Sequence, residues 1–390
     1  MKWNLRHLRV FLSVVEHSSV SRAAELCHVS QPAATQAIAK LERALSQPLF
    51  RHQSQGLYAT PAGALLAARV ARALHRIDEA AAPISPRLGR SASFAQLEAL
   101  IALRETGNFS LAARQLGLAQ PTVHRAVAYL EEEARKPLFE RSALGIRTKA
   151  PARLLADAAR LALAELDQAV MELAEHAGRE AGRIVVGAMP LSRSSILAEA
   201  IVAFRAERPT TEIRIDEGPY DDLLHGLRRG EIDVLIGALR DPLPIGDVQQ
   251  KELFEDDLIA VVGPDHPLLD HPAPDLDDLA RLPWVLARPG TPSRQIFDGL
   301  FAGRPGPASI VETSSMILMR QLLRASGHAG FISRMQVTSE MELGLLRPLP
   351  VRLQGTRRPI GLTTRADWIP TPAQAALIDA IAEAVRQKYN

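Results

Sequence analysis

Residues Ser110–Phe139, SLAARQLGLAQPTVHRAVAYLEEEARKPLF, have the pattern of a helix-turn-helix followed by the start of a wing. The same pattern stands earlier, at Ser21–Phe50, SRAAELCHVSQPAATQAIAKLERALSQPLF. Pro32 and Pro121 are 89 residues apart, and that offset holds without a gap from Leu8/Leu97 to Leu66/Leu155. Glu16/Glu105, Ser21/Ser110, Ala24/Ala113, Gln31/Gln120, Leu41/Leu130, Glu42/Glu131, Phe50/Phe139 and Gly56/Gly145 are identical pairs. An offset held that long marks an internal duplication. Two copies are too few for a solenoid, so the pattern predicts two tandem domains.

Outward from the repeat, 390 residues leave room for further domains, about two to four in all. Apolar content of 47% and charged content of 23% are those of a soluble globular protein. No apolar run reaches the ~18–20 residues that span a bilayer, and MKWNLRHLRVFLSVVE lacks a signal-peptide core. A cytoplasmic location and no membrane partner are therefore expected. Cys27 is the single cysteine, which excludes an intrachain disulfide or a cysteine metal cluster; it stands opposite Leu116 and is expected in the core. Residues 1–180 carry 23 Lys and Arg against 17 Asp and Glu, and residues 181–390 carry 23 against 27. A basic front half joined to an acidic back half fits a nucleic-acid module attached to something else.

In the first copy, Leu5, Leu8, Phe11, Leu12 and Val15 predict an amphipathic helix. Ser21 is the expected cap of the second helix, and Ser30 caps the third, with Pro32 in its first turn. Gln31, Ala33, Thr35 and Gln36 then lie on the exposed start of that helix, where amide and hydroxyl groups can bond base edges or phosphates. Pro48–Thr60 predicts a two-stranded wing around Gly56, with Arg51 as its phosphate contact. In the second copy the corresponding helix presents Gln120, Thr122, Val123, His124 and Arg125, Arg125 being suited to guanine or phosphate. Arg135, Lys136, Arg141, Arg147, Lys149 and Arg153 follow; Arg141 and Arg147 are the expected phosphate contacts of this wing. Between the copies, Ala64–Ala82 predicts a helix, and ISPRLGRSAS a short, semi-rigid connector.

Both copies resemble the winged helix-turn-helix of LysR-type transcriptional regulators. The resemblance rests on Ala23-Ala24 before Ser30-Gln31-Pro32-Ala33, on Leu41-Glu42, on Pro48-Leu49-Phe50, and on the same positions of the second copy. Thr60–Gly63 keeps the family's TPAG, whereas the second copy has Lys149-Ala150-Pro151-Ala152. One such domain is usual for the family, so two are a departure. The resemblance implies double-stranded DNA as a partner and, for an activator, RNA polymerase.

Pro151–His176 continues as a long helix with Leu154, Leu155, Leu161, Leu166, Val170 and Leu173. A lone helix with an apolar stripe needs a partner, and the family's equivalent pairs two subunits, giving a homodimer or homotetramer. Beyond Gly178, strands are expected at Arg183–Ala188, Glu212–Asp216, Val234–Gly237 and Leu258–Val262, alternating with helices in the rhythm of a parallel α/β sheet. GRIVVGAMPLS, RRGEIDVLIGAL and LIAVVGPDHPL resemble the family's effector domain, which is like periplasmic binding proteins: two subdomains around a cleft. Ligands of such sheets sit at strand C-termini near helix N-termini, which selects Leu191, Ser192, Arg193, Ser194 and Tyr220. The family contacts its effector from the other subdomain where Arg288, Thr291 and Ser293 stand. PWVLARPGTPSRQIF and VETSSMILMRQLL resemble the branch associated with sugar and aromatic-acid metabolism, which makes a sugar or an aromatic or carboxylic acid the expected effector. His225, His266, His271 and His328 are dispersed, and no nucleophile elbow or P-loop occurs, so no catalytic residue, metal or cofactor is expected.

The expected architecture is thus multi-domain: a winged helix-turn-helix at 1–62, a helix and Pro/Gly linker at 63–92, a second winged unit at 93–150, a dimerisation helix at 151–177, and an α/β effector domain at 178–390 with crossovers near 263 and 340. The expected function is a ligand-responsive DNA-binding regulator. The alternative is a small-molecule binding module whose duplicated front domains make protein–protein contacts.

Overall fold

The structure, a computed structural model, describes residues 3–53, 56–142, 145–180, 182–191, 196–243 and 245–389. The chain divides into two compact units, Met1–Gly182 and Arg183–Asn390. In the first unit, α1 (Leu5–His17), α2 (Val20–Leu26), α3 (Gln31–Leu45), β1 (Phe50–Gln53), β2 (Gly56–Ala59) and α4 (Pro61–Ala81) form one copy. After the short α5 (Leu88–Ser91) the series repeats as α6 (Phe94–Thr106), α7 (Phe109–Leu116), α8 (Gln120–Ala134), β3 (Phe139–Ser142), β4 (Gly145–Thr148) and α9 (Ala150–His176).

The identities between the copies have local causes. Glu42 Oε1 accepts from the N–H groups of Leu49 (2.8 Å) and Phe50 (3.3 Å), and Glu131 Oε1 accepts from those of Leu138 (2.8 Å) and Phe139 (3.2 Å). One carboxylate thereby ties the wing to the helix before it in each copy. Leu57 N donates to Ser18 O at 2.9 Å, and Ile146 N to Gly107 O at 2.8 Å, which pins the returning wing strand. The approach is so close that a Cβ on Gly56 would lie 2.6 Å from Ser18 O, and Gly56 has φ +152° besides. Ser30 caps α3 through Ala33 N at 3.3 Å. The cap of α2 is Ser19 rather than Ser21, because Ser19 Oγ accepts from Arg22 N and Ser21 already lies inside the helix. Cys27 is half-buried at the end of α2, packed beside Val10, Ala24, Ala34 and Ala37 rather than enclosed among them.

The connector is held against the unit: Ile84 and Leu88 are buried, and Arg9 donates to both oxygens of Asp78 and to Gly89 O. The partner of α9 is α4 of the same chain. Leu66, Val70, Ala73 and Ile77 of α4 and Leu155, Ala159, Ala162 and Leu166 of α9 are all fully buried in one core that runs through both copies. The duplication carried the long helix with it, so within the chain α4 covers this stripe of α9. The two helices run antiparallel, since Arg69 meets Glu172 while Arg76 meets Glu165.

The second unit contains β5 (Arg183–Ala188), α10 (Ile196–Glu207), β6 (Glu212–Asp216), α11 (Tyr220–Arg228), β7 (Val234–Ala238), β8 (Val248–Val262), α12 (Leu276–Ala280), β9 (Trp284–Leu286), α13 (Pro292–Leu300), β10 (Ile310–Glu312), α14 (Met316–Ala325), β11 (Ala329–Ser333), α15 (Thr338–Glu342), β12 (Arg347–Pro348), β13 (Arg357–Arg365) and α16 (Pro372–Tyr389). The strands follow the order β10-β9-β11-β8-β13-β7-β5-β6, with β12 beside β8. β5, β6 and β7 are parallel, as expected, but β13 runs antiparallel to β7 and β8, and β11 antiparallel to β8, so the sheet is mixed. The long β8 joins two lobes. Its residues up to Asp257 pair with β13, and those from Leu258 pair with β11. The crossovers therefore lie near 257 and 356, not near 263 and 340. They are clamped there: Arg358 donates to Asp256 Oδ2 at 3.0 and 3.2 Å, Ser333 Oγ to Asp256 Oδ1 at 2.6 Å, and Thr356 Oγ1 to Asp257 Oδ1 at 2.8 Å. One lobe packs around Val186, Ile236 and Leu377, the other around Trp284, Phe297 and Phe331.

Candidate nucleic-acid interface and ligand cleft

Helices α3 and α8 begin on exposed polar faces. Gln31, Ala33, Thr35 and Gln36 are exposed, while Ala34 and Ala37 turn inward. On α8, Gln120, Thr122, His124 and Arg125 are exposed. Val123 is a correction: it is 0% exposed and packs with Ala112, Ala113 and Val127, so it cannot reach a base. It occupies the position of Ala34, which is equally buried, and with Val127 it forms the i, i+4 stripe that faces the core. His124 lies against Phe109, ring centroids 5.1 Å apart, which fixes its ring beside the helix start. Arg51, Arg141 and Arg147 are exposed on wing strands, Arg147 standing 3.8 Å from Glu140. The wing tips, residues 54–55 and 143–144, lie outside the described residues. Lys136, expected with the basic surface, donates instead to Pro83 O at 3.2 Å. Glu131 and Glu133 are engaged within the unit, by the wing strand and by Ser91 Oγ.

In the second unit the C-terminal ends of β6, β7 and β9 bring Tyr220, Arg240 and the start of α13 together. Arg240 lies over the Tyr220 ring, 4.3 Å from its centroid, and its Nη1 donates to Gly290 O at 3.5 Å, reaching from one lobe to the other. Tyr220 Oη and Arg240 Nε are buried without a hydrogen bond among the described residues. Burial raises the Tyr220 hydroxyl above the usual tyrosine range and lowers the Arg240 guanidinium, against the mutual attraction of the two groups. Thr291 caps α13: its Oγ1 accepts from Arg294 N at 3.3 Å and donates to Arg288 O at 2.8 Å, with Ser293 Oγ 3.5 Å away. Arg288 is exposed beside it. Leu191 is 3% exposed and belongs to the core of the first lobe, so it is a packing residue. Ser192, Arg193 and Ser194 lie outside the described residues. A separate hollow of about 390 Å³ beside α11 has Asp216, Glu217, Asp222 and Glu231 among its lining residues. Sequence reasoning passed over Arg240. Its signal was there: an arginine two residues past a buried parallel strand, at the same end of the sheet as Tyr220.

Two winged units ahead of a two-lobed α/β binding domain define a ligand-responsive transcriptional regulator. The chain belongs to the LysR family. The family described as bacterial regulatory helix-turn-helix protein, lysR family, matches residues 5–64 and again 94–149, and the LysR substrate binding domain matches 177–386. The chain is 34% identical over 390 residues to the HTH-type transcriptional regulator GalR of Pseudomonas putida, spanning 99% of this chain and 98% of that one. It is 29% identical to the regulator PcaQ of Agrobacterium fabrum, over 76% of this chain and 96% of the other. Full-length CbnR shares the fold at TM-score 0.52 and 22% identity, covering 75% of this chain and 99% of that one. A full-length OxyR variant from Pseudomonas aeruginosa does so at TM-score 0.54 and 24% identity, covering 75% and 94%. The quarter left uncovered by these structures is about the length of the 89-residue repeat. Among the described residues, no helix is long and apolar enough to cross a membrane.

Proposed function

We propose that this regulator reads double-stranded DNA with both winged units and answers to a small organic acid held between the lobes of its second unit. Gln31, Ala33, Thr35 and Gln36 serve one DNA face, and Gln120, Thr122, His124 and Arg125 the other, with Arg51, Arg141 and Arg147 on phosphates. The acid's carboxylate is met by Arg240 and Tyr220 from one lobe, and by the loop of Arg288, Thr291 and Ser293 from the other. Ser192, Arg193 and Ser194, which follow the first strand in sequence, are proposed as further contacts. Sugar acids and aromatic acids are the expected classes. The acid binds one arrangement of the lobes better than the other and so shifts the balance between them; that differential affinity is the whole of its regulatory effect. The protein performs no catalysis, works in the cytoplasm and, where it activates, engages RNA polymerase.

The observation that supports this most is the twice-repeated exposed polar helix start beside a wing that carries an exposed arginine. Gel-shift titration of the full chain on its own upstream DNA tests it: affinity should fall steeply with salt and exceed that for unrelated duplex. Equal binding to unrelated duplex at all salts would leave the protein–protein alternative standing. Thermal shift with aromatic and sugar acids tests the cleft, since a ligand of the folded state alone raises the melting temperature.

A further inference from the structure

We propose that the DNA-reading unit is one chain, in which α4 and α9 pair the two winged units as unlike partners, and that its DNA target is a bipartite site with two non-identical half-sites. This rests on the DNA reading proposed above.

The pairing follows an approximate two-fold relation. Leu66/Leu155, Val70/Ala159, Ala73/Ala162 and Ile77/Leu166 are each separated by the 89-residue offset, and all eight are buried in the shared core. The polar contacts across the pair repeat in the same way. Gln47 Nε2 donates to Leu173 O at 2.6 Å, and Lys136 Nζ, at the equivalent position, donates to Pro83 O at 3.2 Å, one residue from the equivalent carbonyl.

The charges break this symmetry and select the partner. Arg76 of α4 and Glu165 of α9 are equivalent positions with opposite sign, and they face each other at 3.7 Å. Glu165 also meets Arg69 at 2.9 Å and Arg72 at 2.7 Å; Arg69 meets Glu172 at 2.6 Å and Gln168 at 2.7 Å. Suppose two chains paired like with like in this register. An α9–α9 pair would bring Glu165 against Glu165 and Leu161, and Glu172 against Ala158. An α4–α4 pair would bring Arg76 against Arg76 and Arg72. Buried charges without counter-charges are strongly unfavourable, so the helices prefer the unlike partner. The packed connector holds that partner in the same chain: Arg9 clamps Asp78 and Gly89, and Ile84 and Leu88 are buried.

The two DNA faces are also unlike. Gln31 and Gln120 match, but Ala33, Thr35 and Gln36 stand where the second copy has Thr122, His124 and Arg125. Glutamine suits adenine N6/N7, and arginine suits guanine O6/N7. Two-fold related helices meet half-sites about one helical turn, or a multiple of it, apart.

The test is selection by the full-length chain from a pool of random-sequence duplexes. The expected consensus has two unlike halves; Gln36→Ala relaxes one half by about 10- to 100-fold and leaves the other, and Arg125→Ala does the converse. A palindromic consensus, or both substitutions acting on both halves alike, overturns the unlike pairing while leaving the DNA reading intact. No enriched sequence overturns both. Cysteines placed by Ala73→Cys and Ala162→Cys in a Cys27→Ser background, refolded from denaturant at low concentration with a mild thiol oxidant, should give a disulfide product of monomer mass. Covalent dimers, or no product from a protein that melts like its parent, overturn pairing within one chain.

Discussion

Replacing Glu165 with glutamine removes one negative charge from among three guanidinium groups. Glu165 is 4% exposed; its Oε2 accepts from Arg69 at 2.9 Å, and its Oε1 from Arg72 at 2.7 and 3.1 Å. Breaking one partner of a buried pair costs about 3–5 kcal/mol. Here Arg69 keeps Glu172 at 2.6 and 3.2 Å and Gln168 at 2.7 Å, and the Arg72 side chain, 26% exposed, can regain water. The loss should therefore sit at the lower end, about 3 kcal/mol, and glutamine fills the same volume, so packing adds little. For a unit of this size about 1 kcal/mol moves Tm by roughly 2–4 °C, which gives a fall of about 6–12 °C in the transition of the first unit. Calorimetry on the full chain reads it. The pH dependence has a definite sign. Burial works to raise the Glu165 carboxyl, but the hydrogen bonds and charges of Arg72 and Arg69 outweigh it and hold the group below the ordinary value of 4.5. A depressed folded value means stability that is present above that ordinary value and lost as pH falls through the folded one. The gap between wild type and variant should be constant from about pH 6 to 8 and close as pH drops below 4.5. A loss under about 1 kcal/mol, or a gap that persists into strong acid, would refute this carboxylate as the charge that joins the two helices.

Further outcomes are expected. Arg141→Ala should weaken operator binding alike on all sequences and reduce the salt slope by about one, read by gel shift at several ionic strengths; an unchanged slope means the wing does not touch phosphate. Gly63→Ala should destabilise the first unit by about 1–3 kcal/mol in urea, because the new Cβ would lie 2.1 Å from Leu49 O; tolerance comparable to that of Ala152, the second copy's residue there, counts against the clash. Thr291→Val should cost about 1 kcal/mol through the lost α13 cap and weaken the acid's thermal shift while sparing DNA binding; loss of DNA binding as well would make Thr291 a folding residue only.

The front unit was largely legible in the sequence because a repeat states the same pattern twice. Glu42 and Glu131 or Gly56 and Gly145 could be marked as shared before their tasks, tying and seating the wing, were known. Val123 escaped because a β-branched residue among polar neighbours reads as surface until its one-residue phase on α8 is fixed, and its counterpart Ala34 gave no contrast. The partner of α9 escaped for a different reason. A stripe of Ala159, Ala162 and Leu166 declares that something covers it but not which chain does. The answer lay in charges on two segments about 90 residues apart, whose pairing needs the fold. In the back unit β5, β6 and β7 were plain, being buried parallel strands. β8 and β13 were not: QQKELFEDD is polar because much of it is exposed where it pairs with β13, while Asp256 at the crossover is satisfied by Arg358.

The tether between the two winged units has a consequence for how such a regulator can change over time. In a receptor assembled from identical chains, one substitution in a DNA-contacting helix alters both halves of every target at once. On the pairing proposed above, a substitution at Gln36 or Arg125 alters one half only, so the two faces are free to drift apart and give their target a direction. The couple also forms at a local concentration set by the chain itself. Its assembly is indifferent to how few molecules a cell holds.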